Sequence, residues 1–358
     1  MKTRLPAVAL ALLVSACSRG TPCNTSLPLM YAAREGDIQN VRCLLDNGAN
    51  ANAADGDGIT ALIFAAQAGH TEIITLLLEK GASVSAANKD GTTALMEAAR
   101  EGYIGIARLL IEKGARVNAA DDKGNNALIF AAEAGHTEIT KLLLEKGADV
   151  NAAGTIGKTT GVTALMSAAM FGRTDTARLL LEKGADVNAV TTGQTAGYTA
   201  LMGAADFDTA LLLIEKGAHV NAATSEGNTV LMGAALAGHT NIVRLLIEKG
   251  AHVNAAGTKG SRLAGTTALM GAAAGGHADT ARLLIERGAQ INAANKHGGT
   301  ALMSAAMFGR TDTARLLLEK GADVNAVATD GSTTALSLAK AKGHTAIVDM
   351  LRAAGAEE

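Results

Sequence analysis

The sequence predicts an all-α array of about ten stacked helix-turn-helix units joined by β-hairpin-like loops, and three observations lead there. The first is a period. The string Thr-Ala-Leu recurs with Thr at 60, 93, 163, 199, 267, 300 and 334, and Asn126 and Thr229 open two close variants. With Leu27 as the start of the first copy, successive starts are 33, 33, 33, 37, 36, 30, 38, 33 and 34 residues apart. A repeat of that length marks one supersecondary unit that stacks on its neighbours. The second is composition: 48% hydrophobic residues with 2% aromatics and no Trp leaves an aliphatic core of Ala, Leu and Met, suited to closely packed small helices. It excludes a collagen, a disordered chain and a typical β-sandwich. The third is punctuation, with 41 Gly against 3 Pro, so the breaks between elements are glycine turns. A length of 358 residues would otherwise suggest two or three domains at about 100 to 200 residues each.

The copy from Thr60 justifies each element in turn. Thr60 is a good N-cap, Ala61 to Ala68 favour helix, and Gly69 breaks the chain before Thr71, which is expected to cap a second helix. Ile73, Ile74, Leu76 and Leu77 fall on one side of that helix. Gly81 ends it, with Lys80 in the last turn favoured by the helix dipole. Ser83 to Gly91 is a polar connection carrying the turn signal Asp90-Gly91. No such unit buries its apolar face alone, and Ala pairs such as Ala65-Ala66 and Ala98-Ala99 let neighbours approach closely.

The strings GHTEI, LLLEKGADVNA and DGTTAL resemble the ankyrin repeat family, and the resemblance covers residues 27–358. It implies a solenoid whose hairpin tips and first helices share one concave surface, the usual site for a protein partner. Where that family commonly has TPLH, this chain has TALM or TALI, and Pro28 alone keeps the proline. Losing the His makes that layer apolar. End copies read as caps: Lys340 and Arg352 in the last, Gln39, Asn40 and Arg42 in the first. Residues 163–190 and 300–327 are identical, which suggests recent duplication within the array.

Residues 1–16 read as a signal peptide: Lys2 and Arg4 precede an apolar run from Leu5 to Val14 that is too short to span a bilayer. The following Val14-Ser15-Ala16-Cys17 resembles a bacterial lipobox, in which Cys17 is acylated, and Ser18 resembles the second residue of lipoproteins sorted to the outer membrane. Residues 17–26 are then a lipidated linker on the periplasmic side. Ordinary cleavage after Ala16 is the alternative and would leave a secreted or soluble periplasmic protein. Two further cysteines, Cys23 and Cys43, face an oxidising compartment, either as a disulfide or as two unpaired thiols with Cys43 a small core residue.

Net charge is -2, or about -4 without Lys2 and Arg4, which gives no footprint for nucleic acid and no polybasic membrane patch. Five His residues, at 70, 136, 239, 277 and 344, follow the glycine between helices, where an imidazole in the resembled family satisfies nearby backbone groups. His219 and His252 occupy equivalent positions in adjacent copies, and stacked units about 8 to 10 Å apart separate them too widely for one zinc ion. Gly157-Lys158-Thr159 imitates the end of a phosphate loop, but Ala152 stands where that motif needs its first Gly. Neither a metal nor a cofactor is expected, and no catalytic constellation is recognisable, so the chain reads as a non-enzyme.

Unequal spacing points to the binding face. Three connections are long, Ala152 to Val162, Ala189 to Tyr198 and Ala255 to Thr266, and they carry Lys158, Gln194, Lys259 and Arg262. At the outer end of the first helix stand Met170-Phe171, Asp206-Phe207, Leu236-Ala237 and Met307-Phe308, with the three Phe read at one equivalent position. They are either anchors for a partner or rings covered by the long hairpins, whereas Phe64 and Phe130 belong to the inter-repeat core. The sixth copy is three residues short, with Asp208 aligned to the inter-helix glycine, and is expected to be the weak point. The resulting expectation is a lipid-tethered module that binds another protein, touching membrane through its lipid only. A specific inhibitor or immunity protein that blocks a toxic or lytic enzyme, and an envelope scaffold or spacer, are the alternatives.

Overall fold

The computed structural model describes residues 23–24, 28–156, 159–193 and 196–357. In the copy from Thr60, the Thr60 Oγ1 accepts the Ile63 N–H at 3.4 Å and caps a helix at Ala61–Ala68. Gly69 closes that helix in the left-handed region with φ of 82°, and a Cβ there would also stand 2.7 Å from the Tyr103 ring. A second helix follows at Thr71–Glu79, burying Ile73, Ile74, Leu76 and Leu77; its N-cap is His70, and Thr71, expected as the cap, is its first helical residue. Ala65 and Ala66 are fully buried, so no side-chain bulk keeps neighbouring first helices apart.

Neighbouring copies are also tied through an asparagine in most connections, with Ser85 in its place after the second copy. Nδ2 of Asn52 donates to the Gly81 carbonyl at 3.0 Å while its Oδ1 accepts the Ser83 N–H at 2.7 Å. Asn188 makes the same pair of bonds with Gly217 and His219, and Asn221 with Gly250 and His252. Each amide thereby satisfies a helix-end carbonyl that would otherwise lack a partner.

The chain divides into two units within the fourth copy. In the unit formed by the residues up to Ala131 and by Lys141–Ala148, the core holds Leu62, Ile74, Leu77, Leu95, Met96 and Leu110. In the unit formed by Ala132–Thr140 and Asp149–Glu358, Leu165, Leu180, Leu213, Leu246, Leu284 and Leu317 take the corresponding buried places. Among the described residues, no helix is long and apolar enough to cross a membrane.

The hairpin-like loops are simpler than their length suggests. Four close with one bridge, between Ala54 and Thr60, Ala87 and Thr93, Ala120 and Asn126, and Ala223 and Thr229. The long connections of the fifth copy and the one after it build a sheet, β1 (Ala153–Ile156), β2 (Thr159–Thr163) and β3 (Thr192–Gly193), in the order β1-β2-β3 with antiparallel pairs. Gly154 pairs with Val162 and Ile156 with Thr159, with a bulge between Gly154 and Thr155.

The sixth copy corrects the alignment expected from its spacing. Its first helix is cut to Ala200–Gly203, and the second begins at Phe207 with Asp206 as N-cap, whose carboxylate accepts the Thr209 N–H at 2.8 Å and the Thr209 hydroxyl at 3.0 Å. The missing residues therefore come from the first helix. Asp208 is an exposed residue in the first turn of the second helix, where the dipole favours a carboxylate, and it does not occupy the inter-helix glycine position.

At the ends, Lys340, Arg352, Gln39 and Arg42 are exposed. Asn40 departs from that pattern. It is buried, and its Oδ1 accepts the Asn24 N–H at 3.1 Å, so it fastens the linker instead of facing solvent. A disulfide joins Cys23 to Cys43, with their Cα atoms 5.6 Å apart.

Candidate protein-binding surface

The surface is built on the ends of the first helices and on the residue that starts each second helix. That residue reaches back over the preceding copy. Nε2 of His70 donates to the Arg34 carbonyl at 3.0 Å, Nε2 of His277 to the Leu236 carbonyl at 3.1 Å, and Nε2 of His344 to the Met307 carbonyl at 3.3 Å. Arg173 and Arg310 do the same through Nε, onto the carbonyls of Glu133 at 3.2 Å and Ala274 at 2.9 Å. These side chains answer the unsatisfied carbonyls that every helix C-terminus leaves. With the backbone ends sealed in this way, what remains outward is the side chain.

In the second unit those outward side chains are large and apolar. Phe171, Phe207, Leu236, Met307 and Phe308 are 43%, 40%, 54%, 40% and 50% exposed, so the long hairpins do not cover them. Met170 is half-buried. Phe171 and Phe308 are the C-cap residues of Ala164–Met170 and Ala301–Met307, equivalent positions in the two identical segments. Phe207 is not their equivalent: it opens the second helix of the sixth copy, because the first helix there stops three residues early. The structure nevertheless brings the residues just before it beside the end of the helix that carries Phe171. The Ala205 N–H donates to the Ala169 carbonyl at 3.1 Å, and the Asp206 carboxylate lies 2.7 Å from where a Cβ on Gly172 would stand. Phe207 continues towards the seventh copy, lining a hollow of about 390 Å³ with Gly238, His239 and Ile242.

The charged residues expected on the long loops fare unevenly. Lys259 is exposed. Arg262 is taken up within the chain: its Nε and terminal amine donate to the two Glu226 carboxylate oxygens at 3.0 and 3.4 Å, and that pairing pushes the Arg262 pKa up. Ser261 and Thr258 add hydrogen bonds to the Glu226 carbonyl, at 3.0 and 2.9 Å, so the loop of the seventh and eighth copies is laid down on its neighbour. Cys17, Lys158 and Gln194 lie outside the described residues.

Four exposed apolar residues were not singled out from the sequence, Tyr31, Tyr103, Val190 and Val327. Val190 and Val327 close the two identical segments, so the duplication itself was the available signal.

The family model for ankyrin repeats in three copies matches residues 29–121, 118–191, 190–257 and 256–328. The chain belongs to the ankyrin repeat family. Ankyrin repeats are generally protein-interaction modules, commonly non-catalytic, and the exposed side chains above lie on the helix ends and loops of these ankyrin units. No curated protein matches the chain significantly.

Proposed function

We propose that this ankyrin chain is a non-catalytic module held by a lipid on Cys17 at the periplasmic side of the outer membrane, and that it binds one protein through copies five to nine. The observation that carries the binding reading is the set of exposed apolar side chains, Phe171, Phe207, Leu236, Met307 and Phe308, in a single unit. Interface cores favour aromatic and Met side chains at the expense of charge, and a soluble surface gains nothing by exposing them. Support for the tether comes from Val14-Ser15-Ala16-Cys17 behind a short apolar run, with Ser18 after it.

Two experiments test the reading. Labelled fatty acid should appear on the wild-type chain and be absent from Cys17→Ser, which should be released as a soluble form or remain as precursor; an unlabelled wild type sinks the tether. The mature protein used as bait in envelope extracts should retain one stoichiometric protein. A broad, weak set of envelope proteins retained equally by Phe171→Ala with Phe207→Ala would instead mean a spacer.

A further inference from the structure

Truncating the first helix of the sixth copy leaves space. A cavity of about 360 Å³ opens where the last turn of that helix is missing, walled by Leu201, Gly203, Val230, Ala234, Ala237 and Ile242 together with Met170 and Tyr198. A second cavity, of about 240 Å³, lies beside the sheet, lined by Ile156, Val162 and Met166, and it shares Met170 and Tyr198 with the first. The two chambers therefore adjoin at Met170 and Tyr198.

The walls define what fits. Among the described residues, neither lining carries a carboxylate, an ammonium or a guanidinium group, and the titrating groups are the phenol and the exposed His239. A charged occupant would be desolvated without compensation. The smaller chamber falls below the roughly 300 Å³ at which pockets for whole small molecules begin, yet it accommodates one large side chain. The Tyr198 hydroxyl makes no hydrogen bond among the described residues, and its ring packs so close to Gly203 that a Cβ there would stand 3.2 Å from the Oη. Burial pushes this phenol above its ordinary pKa of 10, so it stays a donor at neutral pH. The Tyr198 oxygen is not among the buried side-chain atoms that lack a partner, so it reaches water. A carbonyl entering the chamber would take that water's place, and a peptide carbonyl free to do so belongs to a segment whose own backbone is not already paired in helix or sheet. The larger chamber continues through His239 and Ile242 into the hollow beside Phe207, so the occupant arrives along the surface already assigned to the partner.

We infer that the chambers meeting at Met170 and Tyr198 receive one large uncharged apolar side chain, and the peptide carbonyl beside it, from an extended segment of the protein partner. This rests on the protein-binding reading, but its test needs no partner, so either can fail alone. The probe is N-acetyl-phenylalanine amide, which carries a ring and two peptide groups, added to the whole chain labelled at its methionine methyls. Shifts at Met166, Met170 and Met202 should saturate together at one probe per chain while Met303 stays still. N-acetyl-glutamate amide should bind at least about tenfold more weakly, since its carboxylate must be desolvated. Tyr198→Phe keeps the ring and removes the donor, and should weaken the probe by about five- to tenfold. Shifts that do not saturate or that spread over all 11 methionines, equal binding of the glutamate probe, or unchanged binding by Tyr198→Phe would each overturn the assignment.

Discussion

In copies two and four an aromatic ring sits in the middle of the first helix, and in copies five and nine it sits at the end of the same helix. Phe64 is only 7% exposed, with Arg34 over its ring at 5.5 Å and the Tyr31 ring stacked at 6.1 Å, and Arg100 lies 4.0 Å over Phe130. Phe171 and Phe308 lie at the helix end, exposed. In the regular stretch, where starts are 33 residues apart, each copy supplies the cover for the next. Where spacing runs 37, 36, 30 and 38, a helix is cut short, loops lie on one another and cavities are left open, whereas Phe308 is exposed in a copy of regular spacing, by its place at the helix end. Regularity in a stack of coupled units builds stability, and departures from it create sites.

The largest effect expected from this contrast is on the rings themselves. Phe64→Ala should cost about 3 kcal/mol or more in denaturant unfolding, as truncation of a buried aromatic does, whereas Phe308→Ala should cost about 0.5 kcal/mol or less. Equal costs would mean that the outer ring is covered after all. Next in size are two leucines at the same place in their copies. Leu95→Ala should cost about 3 kcal/mol, and Leu201→Ala, beside an existing cavity into which neighbours relax, nearer about 2 kcal/mol. A larger loss at Leu201 would show the sixth copy to be as tightly packed as the third.

Hydrogen exchange sharpens the same comparison without mutation. Amides from Gly203 to Ile214 should exchange at least about tenfold faster than those from Ala164 to Leu181, since a four-residue first helix offers less to its neighbours. Comparable protection would remove the idea of a weak copy. The smallest effect is on pH dependence in the regular stretch. Glu97 is buried, and desolvation pushes its carboxyl above the ordinary 4.5, against the pull of Arg100 at 2.8 Å. Below 4.5 the group is protonated folded or unfolded; as pH rises through the raised value, the folded state must ionise a buried acid and that share of stability is lost. Glu97→Gln should flatten the decline, and an unchanged slope would assign it to another group.

Most of the fold was legible because it rests on local rules repeated many times: threonine caps, alanine pairs and glycine breaks, each at a fixed offset. What escaped was decided by alternatives of similar local energy or by distant partners. A spacing of 30 says that three residues are missing but not from which helix, and Asp206, a good N-cap, settled it in favour of an early second helix. The matching of Thr209-Ala210 with Thr176-Ala177 was the available signal. Arg262 read as free because Glu226 is 36 residues away in the chain, and Tyr198 read as a loop boundary because only the folded sheet gives it a cavity to line.

The central claim is that the outward apolar side chains of copies five to nine are the binding surface, and the affinity of the captured partner for the Phe171→Ala, Phe207→Ala chain tests it most directly. Removing two interface anchors should weaken binding by about thirtyfold or more, while the melting temperature stays nearly unchanged, since both rings are exposed. Wild-type affinity in that variant would contradict the account.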